Sequence, residues 1–148
     1  MQGSDWRTTA LKQIKNALKG SLSDLGQWKV VSPRSILCKD GDDYAIVCLQ
    51  VSSESNAERL AFYVSFGEGT FEWFNSRGFG LSSPTSDADC AFRNRLDAKS
   101  FFESDPREVF FIEPGLFLNA ERWEKILSWF GGAAKTDILP WIRDRWAR

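Results

Sequence analysis

The segment Cys90-Ala-Phe-Arg-Asn-Arg-Leu96 alternates, so Arg93 and Arg95 fall on one side of an extended chain and Cys90, Phe92, Asn94 and Leu96 on the other. Two guanidinium groups on one side offer planar donor arrays suited to a carboxylate or a phosphate. If that side joins the mixed polar side of the neighbouring strands, Gln50 and Tyr63 converge with the arginines. The alternative is that the arginines pair with the chain's own acidic residues, of which there are 20.

A second group of candidates lies in Gly67-Glu-Gly-Thr-Phe-Glu-Trp-Phe-Asn-Ser-Arg-Gly-Phe-Gly80, where glycines interleave with Phe71, Trp73, Phe74 and Phe79. This composition predicts a long loop or a twisted strand carrying aromatics. Trp73 and Phe74 are then either exposed anchors for a partner or side chains tucked under the sheet edge. No Gly-Lys-Ser/Thr follows the glycines, so they lack the signature of a phosphate-binding loop.

Catalytic chemistry has little to work with. The chain contains no histidine, which removes Ser-His-Asp and Cys-His arrangements and the commonest acid/base group near neutral pH. Asp40, Asp42 and Asp43 sit together, and Glu108 and Glu113 flank an apolar run, but neither set has a spacing diagnostic of glycosidase or cation-binding chemistry. Cys38, Cys48 and Cys90 are three in number, widely spaced and set in or beside apolar runs. They read as buried structural thiols, with no metal site and no cofactor implied. The expectation is a protein that is not an enzyme.

The elements that must position these residues are legible from period and punctuation. Leu11, Ile14, Leu18, Leu22 and Leu25 recur at helical spacing over residues 7–25, with Ser4 or Asp5 as the cap, Gly26 as the stop, and Lys12, Lys15 and Lys19 on a solvated face. Trp28–Val31 and Ser35–Lys39 read as short strands. Tyr44–Val51 and Leu60–Phe66 read as the central antiparallel pair, with Ala45, Val47, Leu49 and Val51 facing the core beside Leu60, Phe62, Val64 and Phe66. Val109–Ile112 is a further apolar run. Asn119 caps a helix closed by Gly131-Gly132, and a last helix runs through Ile138–Trp146 with Pro140 in its first turn.

These pieces predict a single α+β domain over residues 1–148: an antiparallel sheet of about four to six strands, packed with an N-terminal helix and two C-terminal helices. The net charge of −1 excludes a global basic field, so no nucleic-acid partner is expected. Charge is nonetheless uneven. Met1–Ile36 carries six basic residues against two acidic ones, and Lys135–Arg148 four against two, so the middle of the chain is acidic. No apolar run reaches bilayer-spanning length and the first residues lack a signal-peptide core, which predicts a cytoplasmic protein without membrane contact.

Leu25-Gly26-Gln27-Trp28-Lys29, Leu49-Gln50-Val51-Ser52, Phe62-Tyr63-Val64, Cys90–Arg95 and Leu139-Pro140-Trp141-Ile142 together resemble the bacterial domains of unknown function of family 4304. The resemblance implies a small cytoplasmic bacterial protein without an assigned activity. Similar small α+β proteins include immunity partners of toxins, an analogy of size and fold. The expectation is therefore a non-catalytic immunity-like or adaptor protein that binds a protein partner through Gln50, Tyr63, Trp73, Phe74, Arg93 and Arg95. The alternative is a small-ligand pocket between sheet and C-terminal helices, lined by Tyr63, Gln50 and an arginine.

Overall fold

The computed structural model of the chain describes residues 3–78, 86–97 and 109–147. In chain order the elements are α1 (Gly3–Ser21), β1 (Trp28–Ser32), β2 (Ser35–Asp40), β3 (Asp43–Val51), β4 (Leu60–Thr70), α2 (Phe71–Ser76), β5 (Phe92–Arg95), β6 (Phe110–Ile112), α3 (Pro114–Leu118), α4 (Ala120–Ala133) and α5 (Leu139–Trp146). The fold is α+β. Among the described residues six strands form one antiparallel sheet in the order β1-β2-β3-β4-β5, and β6 pairs with β4 further along the same edge as β5. Of the residues singled out above, Met1, Phe79, Gly80, Glu108 and Arg148 lie outside the described residues, as does the 81–85 segment.

β3 and β4 are the spine, in continuous register from Asp43↔Thr70 to Val51↔Phe62. Register partners point to the same side, so alternation divides the sheet into two faces. The inner face carries Ala45, Val47, Leu49, Leu60, Phe62, Val64 and Phe66, buried in one core with the apolar stripes of α1, α4 and α5. Val51, at the strand end, is 36% exposed instead. Aromatic contacts tie the layers: Phe62 lies 5.4 Å from Phe110 and 5.9 Å from Phe130, and Phe66 meets Trp141 edge-on at 5.2 Å.

Several boundaries differ from the sequence expectation, β5 among them, which spans only Phe92–Arg95. α1 begins at Gly3 and so already includes Ser4 and Asp5, and it ends at Ser21, followed by one tight turn over Ser23–Leu25. Gly26 then takes φ 142°, which favours glycine, and the Trp28 indole N–H donates to the Leu22 carbonyl at 2.9 Å, anchoring β1 to the helix end. The glycine stretch is not a loop: β4 runs on through Gly67 and Gly69 to Thr70, whose Oγ1 accepts from the Trp73 N–H and starts α2. Gly131-Gly132 does not close α4, which continues through one widened turn over Ala134–Ile138 directly into α5. That turn lies just ahead of Pro140, where the missing N–H and the ring would break a regular ladder.

Lys15 does not belong to a solvated face. It is 7% exposed, and its Nζ donates to the Pro33 carbonyl at 2.9 Å across the β1–β2 turn. Burial, with Lys12 and Lys19 adding repulsion, holds its pKa below the ordinary lysine value. The unfolded chain therefore binds the proton more tightly, and this group's contribution to stability rises with pH from the folded pKa up to the unfolded one. Lys15→Met should leave stability at neutral pH within about 1 kcal/mol of the parent, because the lost hydrogen bond and the removed cost of burying charge oppose each other. In alkaline denaturant melts the variant should lack the parent's gain from Lys15.

Candidate functional site

The outer face of the sheet is built from the other alternation set: Leu37 on β2, Tyr44, Ile46, Cys48 and Gln50 on β3, Ala61, Tyr63, Ser65, Gly67 and Gly69 on β4, Arg93 and Arg95 on β5, and Phe111 on β6. One end of this face is closed. α2 folds back over it, and Phe74 joins Leu37, Tyr44, Ile46 and Cys90 in a second, smaller core, with Val31 and Trp73 packed against it. Phe74 is 2% exposed and lies 5.2 Å from the Tyr44 ring, so it is a core residue and not an exposed anchor. Trp73 is half-buried, with its indole N–H donating to the Asp89 carbonyl at 2.9 Å. The side-chain-free positions of Gly67 and Gly69 make room for this layer.

Three of the four polar candidates lie toward the other end, and Arg93, opposite Gly67, borders the covered one. Gln50 and Tyr63 are register partners on β3 and β4, Ser65 pairs with Arg95 and Gly67 with Arg93, so all four polar candidates share one face. The Arg95 guanidinium lies 4.4 Å from the Tyr63 ring centre. Gln50 and Tyr63 are partly exposed and both arginines are exposed. Among the described residues no helix covers this end. Trp73 and Phe74 belong to the covered end, so the six sequence candidates form two groups and not one patch.

A pattern that single-strand reading missed runs along this face. Lys39 lies over Tyr44 at 5.4 Å, Arg59 over Phe111 at 4.8 Å, Arg77 over Trp73 at 5.4 Å and Arg95 over Tyr63 at 4.4 Å. Each such stack contributes about 0.5–1 kcal/mol at an exposed site and restricts where the cation sits. Strand pairing sets Lys39 beside Tyr44, Arg95 near Tyr63 and Phe111 beside the start of β4, whereas Trp73 and Arg77 meet through the helical spacing of α2 and its C-cap.

Ser65 sits opposite Arg95 with no exposed surface, and its Oγ has no hydrogen-bond partner. A buried hydroxyl without a partner costs free energy that alanine avoids. Ser65→Ala should therefore be neutral or stabilise the protein by about 1 kcal/mol in thermal or denaturant melts.

The remaining candidates are structural. Asp40, Asp42 and Asp43 make the β2–β3 turn, where the Asp42 carbonyl accepts from the Phe71 N–H at 2.7 Å. Cys38, Cys48 and Cys90 are all buried free thiols. Burial, aided by Asp40, pushes the Cys38 thiol up to about 11. The folded state then holds that proton more tightly than the unfolded chain, so its contribution to stability is full below the unfolded value and is lost as pH rises toward 11. Disulfide-exchange reagents at mildly alkaline pH should label Cys38 far more slowly in the native protein than after unfolding.

α1, α4 and α5 pack on the inner face, so Gln50 and Tyr63 do not line a space between sheet and C-terminal helices. A depression of about 110 Å³ between α3 and α4 is lined by Leu116, Arg122, Lys125 and Ile126, none of them a sequence candidate. Among the described residues no helix is long and apolar enough to cross a membrane. Comparison with protein-family models, curated proteins and solved structures finds no match to this chain.

Proposed function

We propose that this chain is a non-catalytic interaction protein that recognises a protein partner through the outer face of its sheet, acting in the bacterial cytoplasm as an immunity-like or adaptor protein. The observation that carries the reading is the joining of Gln50, Tyr63, Arg93 and Arg95 across three adjacent strands, with Arg95 stacked on Tyr63 at 4.4 Å. Tyrosine and arginine are the residue types that contribute most at protein interfaces. A rigid sheet holds them without the entropy cost of ordering a loop. A partly polar sheet face that presents side chains from three strands suits a macromolecule better than a small ligand, which needs a concave site.

The test is site-specific photo-crosslinking in the native host, with p-benzoylphenylalanine replacing Tyr63 in one sample and Leu118, which is 75% exposed, in a control. A discrete protein adduct from position 63, missing from position 118, supports the reading. No adduct at 63, or the same adducts from both positions, overturns it.

A further inference from the structure

We infer that the partner presents an acidic protein surface to this face; the inference rests on the reading above that the face binds a protein. Strand parity separates the charges of the sheet. The charged strand residues on the outer face are Lys29, Lys39, Arg93 and Arg95, whose register partners are Leu37, Tyr44, Gly67 and Ser65. The acidic strand residues all take the other parity: Asp40 pairs with Asp43, and Glu68 pairs with Phe92 on the inner side, where it meets Arg145. A protein with net charge −1 thus carries one sheet face whose strand charges, among the described residues, are all positive. Like-signed charge on one face steers and selects a partner of the opposite sign.

The stacked geometry sharpens the choice. Arg95 is held over Tyr63, which fixes where this positive charge sits on the face, while Arg59 lies over Phe111 with its Nη2 donating to the Glu54 carbonyl at 3.2 Å. The same stacking disfavours single-stranded nucleic acid, which binds such sheets by placing bases on open aromatic rings; here Tyr63 and Phe111 each have a cation over the ring. Docking is across the face and not by adding a strand to the β5 edge. β5 spans only Phe92–Arg95, and the Asn94 carboxamide oxygen already accepts from the Arg95 N–H at 2.9 Å, occupying a backbone donor that an added strand would use.

The isotopically labelled full chain would be titrated with three probes and followed by backbone and arginine side-chain NMR: a short Glu/Asp-rich peptide, the same peptide with Gln/Asn replacing every acid, and a thymidine oligonucleotide. The expected result is saturable shifts at Gln50, Tyr63, Arg93 and Arg95 with the acidic peptide only, weakened by salt. Arg93→Gln with Arg95→Gln should weaken this binding about tenfold or more, while Lys12→Gln with Lys19→Gln on α1 leaves it unchanged. Equal binding of the neutral peptide, tighter binding of the oligonucleotide, or shifts confined to α1 would overturn the inference. A position-63 crosslink to a segment without acidic residues would overturn it while leaving the protein-binding reading intact. If the acidic peptide binds as expected but position 63 captures no protein in cells, the protein-binding reading falls, and the inference, which rests on it, falls too.

Discussion

Arg145→Ala is expected to destabilise the fold by about 3–5 kcal/mol, the largest loss among the substitutions considered. Arg145 projects from α5 to the inner side of the sheet, where its Nε lies 2.9 Å from Glu68 Oε1. The two side chains keep only 16% and 10% of their exposure. The guanidinium is also held between two rings, 3.9 Å from the Phe92 centre and 5.1 Å from that of Trp141. Truncation leaves the Glu68 carboxylate buried without its partner and removes the group that fastens α5 to β4 and β5. Most of the cost comes from the stranded carboxylate, not from lost attraction, since forming a buried pair roughly balances its own desolvation. The double variant Glu68→Met, Arg145→Met should therefore recover most of the loss, while Arg145→Lys, which keeps the charge without the planar stack, should fall between. Denaturant melts of the four proteins decide the matter: a double variant as unstable as Arg145→Ala would show that the pair itself contributes the stability.

Gly67→Ala should cost about 3 kcal/mol, a large penalty for one methyl group. A β-carbon at this position would lie 2.8 Å from Cys90 Cβ, 2.9 Å from Cys90 Sγ and 2.9 Å from the Phe92 carbonyl oxygen. Cys90 Sγ can rotate away, but Cys90 Cβ is fixed to its own backbone and the carbonyl belongs to the backbone of β5, so both move only with the chain. Pairing Gly67→Ala with Cys90→Gly should thus recover part of the stability and not all of it. The strained chain should also show altered amide shifts at Arg93 and Arg95, the residues that β5 presents on the outer face. Unchanged melts for Gly67→Ala would mean that β5 can shift at little cost, and the outer face would then lack the rigidity on which the proposed recognition depends.

Local pattern made much of the architecture readable. Alternation in Tyr44–Val51 and Leu60–Phe66 named the inner-face residues correctly, with Val51 on that face but exposed at the strand end, because a strand half-buried by helices must place apolar groups at every second position. The leucine and isoleucine stripe of α1 was legible for the same reason at helical period. The glycine-rich stretch was left open between a loop and a twisted strand because Gly67 and Gly69 suppress strand propensity; β4 takes the strand as far as Thr70, and the helix α2 that follows was not anticipated. In the fold those positions are glycine so that Cys90 and the Trp73–Phe74 pair can pack against the strand. Gly131-Gly132 looked like a stop because glycine usually ends helices, yet α4 passes through it within the packed helical layer.

The candidate site divides along the same line. The sequence by itself determined that Arg93 and Arg95 share a side, as do Tyr63 and Ser65, since that follows from the two-residue period of an extended chain. It also determined that the chain has no histidine, which removes Ser-His-Asp and Cys-His arrangements. Only the tertiary structure decided that those sides coincide, that Phe74 is buried, and that Lys15 is withdrawn from solvent to bond Pro33. The Glu68–Arg145 pair likewise joins residues 77 apart in the chain. The physical reason is that periodicity fixes which way a side chain points relative to its own strand or helix. Which strands lie side by side, and in what register, depends on pairings between distant segments that no local pattern encodes.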